Sequence, residues 1–154
     1  MEVLADRLRL QGNALIERGE VAQAESLFTV ADGLYNEAGA LYDEAKNKEK
    51  TIASMKKAIE LNPKNSAALN YLGYTWAEMG VRLDEAEDLI LRALKIEPND
   101  GFYIDSLGWV YYQKGDYLRA VEQLERAVEA EEAHGDADAQ PGCLPDEELP
   151  PPRA

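Results

Sequence analysis

The sequence predicts an all-α protein, a helical-hairpin solenoid followed by a flexible acidic, proline-rich carboxyl-terminal tail. The segments before residue 131 are rich in Ala, Leu, Glu and Lys and contain no β-branched run, as is typical of helices. Residues 68–100 and 103–130 resemble one another, and the composition changes near residue 131. We therefore expect a repeat domain at 1–130 and a tail at 131–154.

The first and second copies of the repeat are the less regular ones. The second has its matching positions at Tyr35, Gly39, Tyr42, Met55, Ala58 and Pro63, and the first at Gly12, Leu15, Gly19, Ala24, Phe28 and Ala31. Gly12 and Gly39 are 27 residues apart (39 minus 12), which is seven fewer than a 34-residue period. Two alternatives follow. Either a tight turn at Asp32-Gly33 separates two helices, or one long helix runs from about Ala22 to Lys46, which would leave three repeats plus an arm.

The third and fourth copies repeat most clearly. The pair Leu72-Gly73 recurs as Leu107-Gly108, and an aromatic residue follows three positions after each glycine. An alanine-containing series recurs at an offset of 34 (120 minus 86), as Ala86, Ile90 and Ala93 in one copy and Ala120, Leu124 and Ala127 in the other. Glycine inside a helix costs about 1 kcal/mol relative to alanine, so Gly108 predicts the close approach of a second helix. Pro63 and Pro98 predict helix ends, because proline disfavours helical geometry in the preceding residue.

The last segment, 131–154, holds five of the seven prolines and seven acidic residues against one arginine. Such a composition cannot bury a core and favours a solvated segment. No further amphipathic helix follows Ala127 to cover the last hairpin. We expect the apolar side of that hairpin to be exposed, or to be covered by the tail or by a second subunit.

These motifs resemble the tetratricopeptide repeat, a unit of about 34 residues with Leu-Gly, Tyr, Ala, Phe and Pro at fixed places. The third and fourth copies are most similar to those of bacterial tetratricopeptide proteins. The repeats would span about 5–31, 32–65, 66–100 and 101–130. The resemblance implies a superhelix of hairpins whose concave groove binds an extended segment or a helix of another protein.

In this family the first helix of each repeat lines the groove. Carried over position by position, the resemblance implies a peptide-binding set of Asn36, Asn70, Tyr71, Tyr74, Phe102, Asp105, Trp109 and Tyr112. For Trp109 and Tyr74 a second interpretation stays open, since aromatic residues at helical spacing also pack between neighbouring helices. Trp76, Tyr111 and Tyr42 fall at a buried position of the repeat.

Composition argues against several other functions. The 30 acidic residues against 16 basic ones, a net charge of -14, disfavour a phosphate-tracking surface, so we expect no nucleic acid partner. A single cysteine and a single histidine leave no metal site, cofactor or nucleophilic triad to predict. The amino terminus lacks the apolar run of a signal peptide, and no apolar stretch is long enough for membrane insertion, so we expect a cytoplasmic protein.

Chaperone-binding members of the family hold a terminal carboxylate with lysines and asparagines of three repeats. Arg9 and Asn13 match two of those places, but Ala67, Tyr71 and Phe102 replace the later basic residues. We therefore expect a non-catalytic adaptor that does not recognise acidic chaperone tails. The alternative hypothesis is a structural oligomer, a homodimer through residues 117–130.

Overall fold

The computed structural model describes residues 1–134, which form seven α-helices and no strand. The helices are α1 (Glu2–Glu17), α2 (Val21–Glu44), α3 (Lys48–Leu61), α4 (Ser66–Met79), α5 (Leu83–Ile96), α6 (Gly101–Lys114) and α7 (Tyr117–His134). Two compact units divide the chain, Met1–Ala68 and Leu69–Ala154. None of the helices in residues 1–134 is long and apolar enough to cross a membrane.

The first unit consists of α1, α2 and α3. α2 is one continuous helix of 24 residues, about 36 Å long, so the prediction of a turn at Asp32-Gly33 is wrong and the long-helix alternative is confirmed. The expectation that this helix would leave an arm is also wrong. α1 turns back through Gly19, whose φ is 79°, and packs along α2 with Gly12 against Phe28.

The missing turn has a side-chain cause. The Asp32 carboxylate, which could cap a new helix, instead accepts hydrogen bonds from the Nδ2 atoms of Asn62 and Asn65. Asn62 and Asn65 lie in the turn between α3 and α4, and the side chain of Asn65 also accepts from the backbone N–H of Ala68. Asp32 is 5% exposed. This buried network holds the α3–α4 turn against the middle of α2.

The second unit contains most of α4 together with α5, α6 and α7. Its glycines confirm the predicted close approach of helices, since a Cβ atom built on Gly73 would lie 2.7 Å from Cγ1 of Ile90. One built on Gly108 would lie 3.0 Å from Cδ2 of Leu124. Both contacts are shorter than ordinary carbon packing distances. Gly108 thus gives up helix propensity in exchange for the packing of α7.

The predicted helix ends agree with the structure at the two prolines and differ at the tail. α3 ends at Leu61 and α5 at Ile96, each two residues before a proline. α7 continues to His134, four residues past the predicted end of the repeat domain at residue 130, because Glu131, Glu132 and Ala133 all favour helix. The rest of the predicted tail, 135–154, lies outside the described residues.

Candidate functional site

A row of aromatic side chains marks the last hairpin. Trp109 and Tyr112, one helical turn apart on α6, stack with ring centroids 5.2 Å apart and planes 18° apart. The Tyr112 ring in turn meets Tyr117, the first residue of α7, at 5.4 Å. Gly115 makes this possible, because its left-handed φ of 84° ends α6 and turns the chain sharply into α7.

Trp109 combines a partly accessible ring with an unsatisfied donor. Its residue is half-buried, yet its Nε1 atom is fully buried and has no hydrogen-bond acceptor in the described part of the chain. Leaving a buried donor unpaired costs about 1–3 kcal/mol. Such an atom calls for an explanation, and binding of an outside acceptor is one.

The remaining predicted site residues divide by burial. Asn70, Tyr71 and Phe102 are each under a tenth exposed. Packing is therefore the role that their placement favours. Tyr74 on α4 and Asp105 on α6 are half-buried and keep part of their surface accessible. At the start of α6 the Asp100 carboxylate caps the helix by accepting from the N–H groups of Phe102 and Tyr103, which fixes the orientation of this end.

Asn36 belongs to the first unit. It lies on α2 and is half-buried, and its Oδ1 atom is buried without a hydrogen-bond donor among the described residues. The sequence predicted Asn36 and Trp109 as site residues. It did not predict Tyr117, although Tyr117 lies five positions after Tyr112 across a glycine turn, a spacing that could have suggested the contact.

Charges near α4 and α6 are negative or already paired. Neither helix holds a basic residue other than Lys114. Its ammonium group lies 2.6 Å from both Oδ1 of Asp84 and Oε2 of Glu87 on α5. The hydrogen bond with Asp84, which has the larger effect, and the one with Glu87 both raise the pKa of Lys114. The site therefore offers no free cation for a ligand carboxylate and favours neutral or basic ligands.

A cavity lies beside the turn between α5 and α6. This cavity has a volume of about 390 Å³ and is lined by Glu97, Pro98, Asn99, Asp100, Gly101, Phe102, Ala130 and Glu131. Its polar groups are carboxylates and one amide, with no neighbouring nucleophile and base. Among residues 1–134 no group of three or more His, Cys, Asp or Glu side chains is arranged to hold a metal ion.

Comparison with known proteins agrees with the repeat pattern. Family models described as tetratricopeptide repeat match residues 32–65, 54–88 and 105–134, which together cover more than half of the chain. A TPR repeat-containing protein of Pseudomonas aeruginosa is 40% identical over 86 residues, covering 53% of this chain and 15% of the relative. Anaphase-promoting complex subunit 3 of Schizosaccharomyces pombe is 33% identical over 84 residues, covering 54% and 12%. The aligned region therefore spans less than a sixth of either relative.

Solved structures show the same fold. The crystal structure of MamA has a TM-score of 0.59 and 24% sequence identity and covers 84% of this chain and 80% of its own. YrrB, described as a TPR protein with an unusual peptide-binding site, has a TM-score of 0.60 and 22% identity, covering 80% and 66%. Both are helical-hairpin repeat proteins, and at these identities the likeness concerns the fold alone.

Proposed function

Because the chain belongs to the tetratricopeptide repeat family, whose members are protein-interaction modules, we propose that it is a non-catalytic adaptor. It binds an extended peptide or a helix of a partner protein along the first helices of its repeats. The repeats are those expected from the sequence, 5–31, 32–65, 66–100 and 101–130, with α2 shared between the first two. The protein acts in the cytoplasm and takes no nucleic acid, in keeping with its acidic charge.

The observation that carries this proposal is the state of Trp109. Its indole N–H lacks an acceptor in the described chain, while its ring stacks on Tyr112 and stays partly accessible. Tryptophan and tyrosine dominate binding energy at interfaces, because they bring a large rigid surface with few rotatable bonds. If the Trp109 side chain rotates slightly, a peptide carbonyl can accept a hydrogen bond from Nε1, which would remove the free-energy cost of the unpaired N–H group. Tyr74 and Asp105 would border the same peptide, whereas Asn36, on α2, belongs to the first unit and has an unsatisfied Oδ1 atom of its own.

Charge defines the class of peptide. The residues from 69 to 134 include 14 acidic and 6 basic side chains, a net charge of -8 by subtraction. A basic or neutral segment would be drawn to this unit, and an acidic one would be repelled. YrrB, with its peptide-binding site, supports peptide recognition by analogy of fold.

Tryptophan replacement tests the proposal directly, because the chain has only two tryptophans. Peptides selected from a random displayed library on the whole chain are titrated against a Trp76→Phe variant, in which Trp109 is the only indole fluorophore. We expect peptide binding to shift the Trp109 emission. Trp109→Phe keeps a ring but removes the N–H, and should weaken binding by about tenfold.

The matched control is built into the design, since Trp76→Phe makes the same chemical change at a residue that is 6% exposed and should leave affinity unchanged. Circular dichroism confirms that both variants are folded. If the selected peptides bind Trp109→Phe as tightly as wild type, or if no peptide is selected, the groove proposal is wrong.

Self-association is the second candidate function. Three apolar side chains of α7 are strongly exposed, with Leu118 at 83%, Val128 at 55% and Val121 at 51%. A homodimer through residues 117–130 would cover them. Monomeric behaviour of the purified chain at all concentrations would exclude this candidate and leave peptide binding untouched.

A further inference from the structure

α1, like α7, exposes apolar side chains on the side away from its hairpin partner. α1 buries Ala5 and Gly12 against α2, and its opposite side shows Val3 at 74% and Leu10 at 64% exposure. Arg7 lies between them in the same stripe, exposed and without an ion pair among the described residues. Within residues 1–134, α1 is thus an amphipathic helix whose outer side no other helix covers.

α7 carries a matching stripe at the other end of the sequence. Leu118, Val121 and Val128 share one side of the helix. On the same side Glu125 lies between Val121 and Val128, and Glu132 follows Val128; both glutamates are exposed. Ala120 and Ala127, on the opposite side, pack toward α6. The stripe of α7 is acidic where that of α1 is basic.

The contact between α5 and α6 in the second unit shows how the outer sides of two such helices pack together. α5 contacts α6, and Lys114 of α6 bonds to Asp84 and Glu87 of α5. The repeat offset of 34 places Leu118 and Val121 of α7 at the positions of Asp84 and Glu87. The side of α7 that holds Leu118 and Val121 therefore corresponds to the side of α5 that contacts α6, the first helix of the following repeat, but in α7 these two positions are apolar.

α1 is the corresponding first helix. Its Gly12 faces Phe28 as Gly108 of α6 faces Leu124, which sets an offset of 96 (108 minus 12) between α6 and α1. With that offset Leu10 corresponds to Ser106, which is fully buried. The side of α1 that is exposed is thus the side that α6 buries.

We propose that the chain associates head to tail, with α7 of one copy packing antiparallel on α1 of a second copy as α5 packs on α6. The offsets set the register, in which Leu10 of one copy lies opposite Val128 of the other. In the same register Arg7 lies opposite Glu132. Such a contact joins two different surfaces, so each bound copy keeps a free α1 or a free α7 to which another copy can add.

Charge favours α1 over a second α7 as the occupant. Two α7 stripes facing each other would bring Glu125 and Glu132 of each copy near the same residues of the other, and like charges at close range repel. Arg7 on α1 instead meets a carboxylate. This inference deepens the self-association candidate by naming the second surface, and it does not depend on peptide binding.

Two blocking variants of the full chain test the pairing by sedimentation velocity. Leu10→Glu blocks α1 and leaves α7 intact, and Val128→Glu does the reverse. Both positions are exposed, so folding should persist and is checked by circular dichroism. We expect the wild-type mass to rise with concentration, each variant alone to be monomeric, and their equimolar mixture to form a one-to-one dimer that grows no further.

Other outcomes overturn the inference. Self-association of Leu10→Glu alone would show that α7 pairs with α7, which rejects head-to-tail contact but keeps the second candidate. A wild-type chain that is monomeric throughout rejects both. Val30→Glu, the same change at an exposed position of α2 outside both stripes, is the control and should behave as wild type.

A charge swap examines the register separately. Arg7→Glu should weaken wild-type association about threefold to tenfold, and adding Glu132→Arg to the same chain should restore it. Failure of the second change to rescue the first would reject the proposed register.

Discussion

Two tyrosine hydroxyls fasten α1 to α2. Tyr35 donates a hydrogen bond to Oδ1 of Asp6, and Tyr42 donates one to Oε2 of Glu2. Burial, followed by the hydrogen bond to Asp6, raises the pKa of Tyr35 to about 12 from its usual 10.0. The same hydrogen bond is the main cause that lowers the pKa of Asp6. Both groups therefore link the stability of the first unit to pH.

Replacing Tyr35 by Phe tests this link. Because the Tyr35 pKa is higher in the folded chain than in the unfolded one, its contribution is complete below about pH 10 and is lost as pH rises through about 12. We expect Tyr35→Phe to lower the free energy of unfolding by about 1–2 kcal/mol at pH 7. The difference from wild type should shrink toward pH 12. Urea titrations at several pH values measure it.

For Asp6, the partner of Tyr35, the contribution to stability is lost as pH falls and not as pH rises. The lowered pKa of Asp6 provides stability above its unfolded value, 3.8, which is lost as pH falls through the folded value.

Tyr117→Phe is the control for the Tyr35→Phe experiment, since the Tyr117 hydroxyl makes no hydrogen bond within residues 1–134. A gap between Tyr35→Phe and wild type that stays constant up to pH 12 would contradict the assignment.

Single residues also show how far sequence reasoning reaches. The role of Gly108 was predicted from the cost of glycine in a helix, and the structure confirms it. The family resemblance placed Trp76, Tyr111 and Tyr42 at a buried position, which is confirmed for Trp76 and Tyr111 and wrong for Tyr42, whose side chain is half-buried. Asn70, Tyr71 and Phe102, which the family resemblance places in the groove, are each under a tenth exposed, and their burial depends on packing between helices that the repeat pattern alone does not show. The pairing of Tyr35 with Asp6 joins positions 29 residues apart and depends on rotamers, which no local pattern encodes.

At the level of elements, α2 is where the repeat pattern departs from regularity. The seven-residue deficit was visible in the glycine spacing, but the sequence left a turn and a continuous helix as alternatives. Asp-Gly favours a turn, whereas the flanking residues favour helix. The structure resolves the conflict through Asp32, whose carboxylate is engaged by Asn62 and Asn65 and so does not cap a new helix.

Gly33 provides the test of a continuous α2. Nothing lies within 4 Å of a Cβ atom built on Gly33, which sits in mid-helix. Gly33→Ala should therefore raise the free energy of unfolding by about 1 kcal/mol. Gly19→Ala, at a left-handed φ of 79°, should lower it by about 1 kcal/mol. Thermal and urea denaturation of both variants provide the measurement, and a destabilised Gly33→Ala would mean that the chain turns there.

For the molecule as a whole the dominant quantity is its charge. Thirty acidic side chains against sixteen basic ones give a net charge of -14, and the repulsion among them opposes compaction. The helical class and the hairpin repeats followed from composition and spacing. The exposed apolar side of α7 was among the expectations from the sequence, whereas that of α1 was not, because it depends on which side chains remain exposed after packing.

Added salt should stabilise this protein. Screening shortens the reach of like-charge repulsion from about 30 Å at 0.01 M to about 8 Å at 0.15 M ionic strength. It also weakens the Lys114 pairs with Asp84 and Glu87, but surface pairs are worth at most about 1 kcal/mol. We expect the free energy of unfolding, measured in urea at pH 7, to rise by about 1 kcal/mol over that range.

The same titration near the isoelectric point, about pH 4.4, is the control, because the net charge and with it the salt effect should vanish there. A salt-induced loss of stability at pH 7 would show that specific ion pairs outweigh the general repulsion.

The shared helix α2 also bears on how this array can change in evolution. Repeat proteins lengthen and shorten by duplicating or losing units that begin and end at turns. The turns at Asn62–Asn65 and Glu97–Asp100 provide such borders, but none exists between Val21 and Glu44. Because α2 serves two hairpins at once, a cut within it would remove the partner of both α1 and α3. Residues 2–61 therefore form a block that can be gained or lost only as one piece.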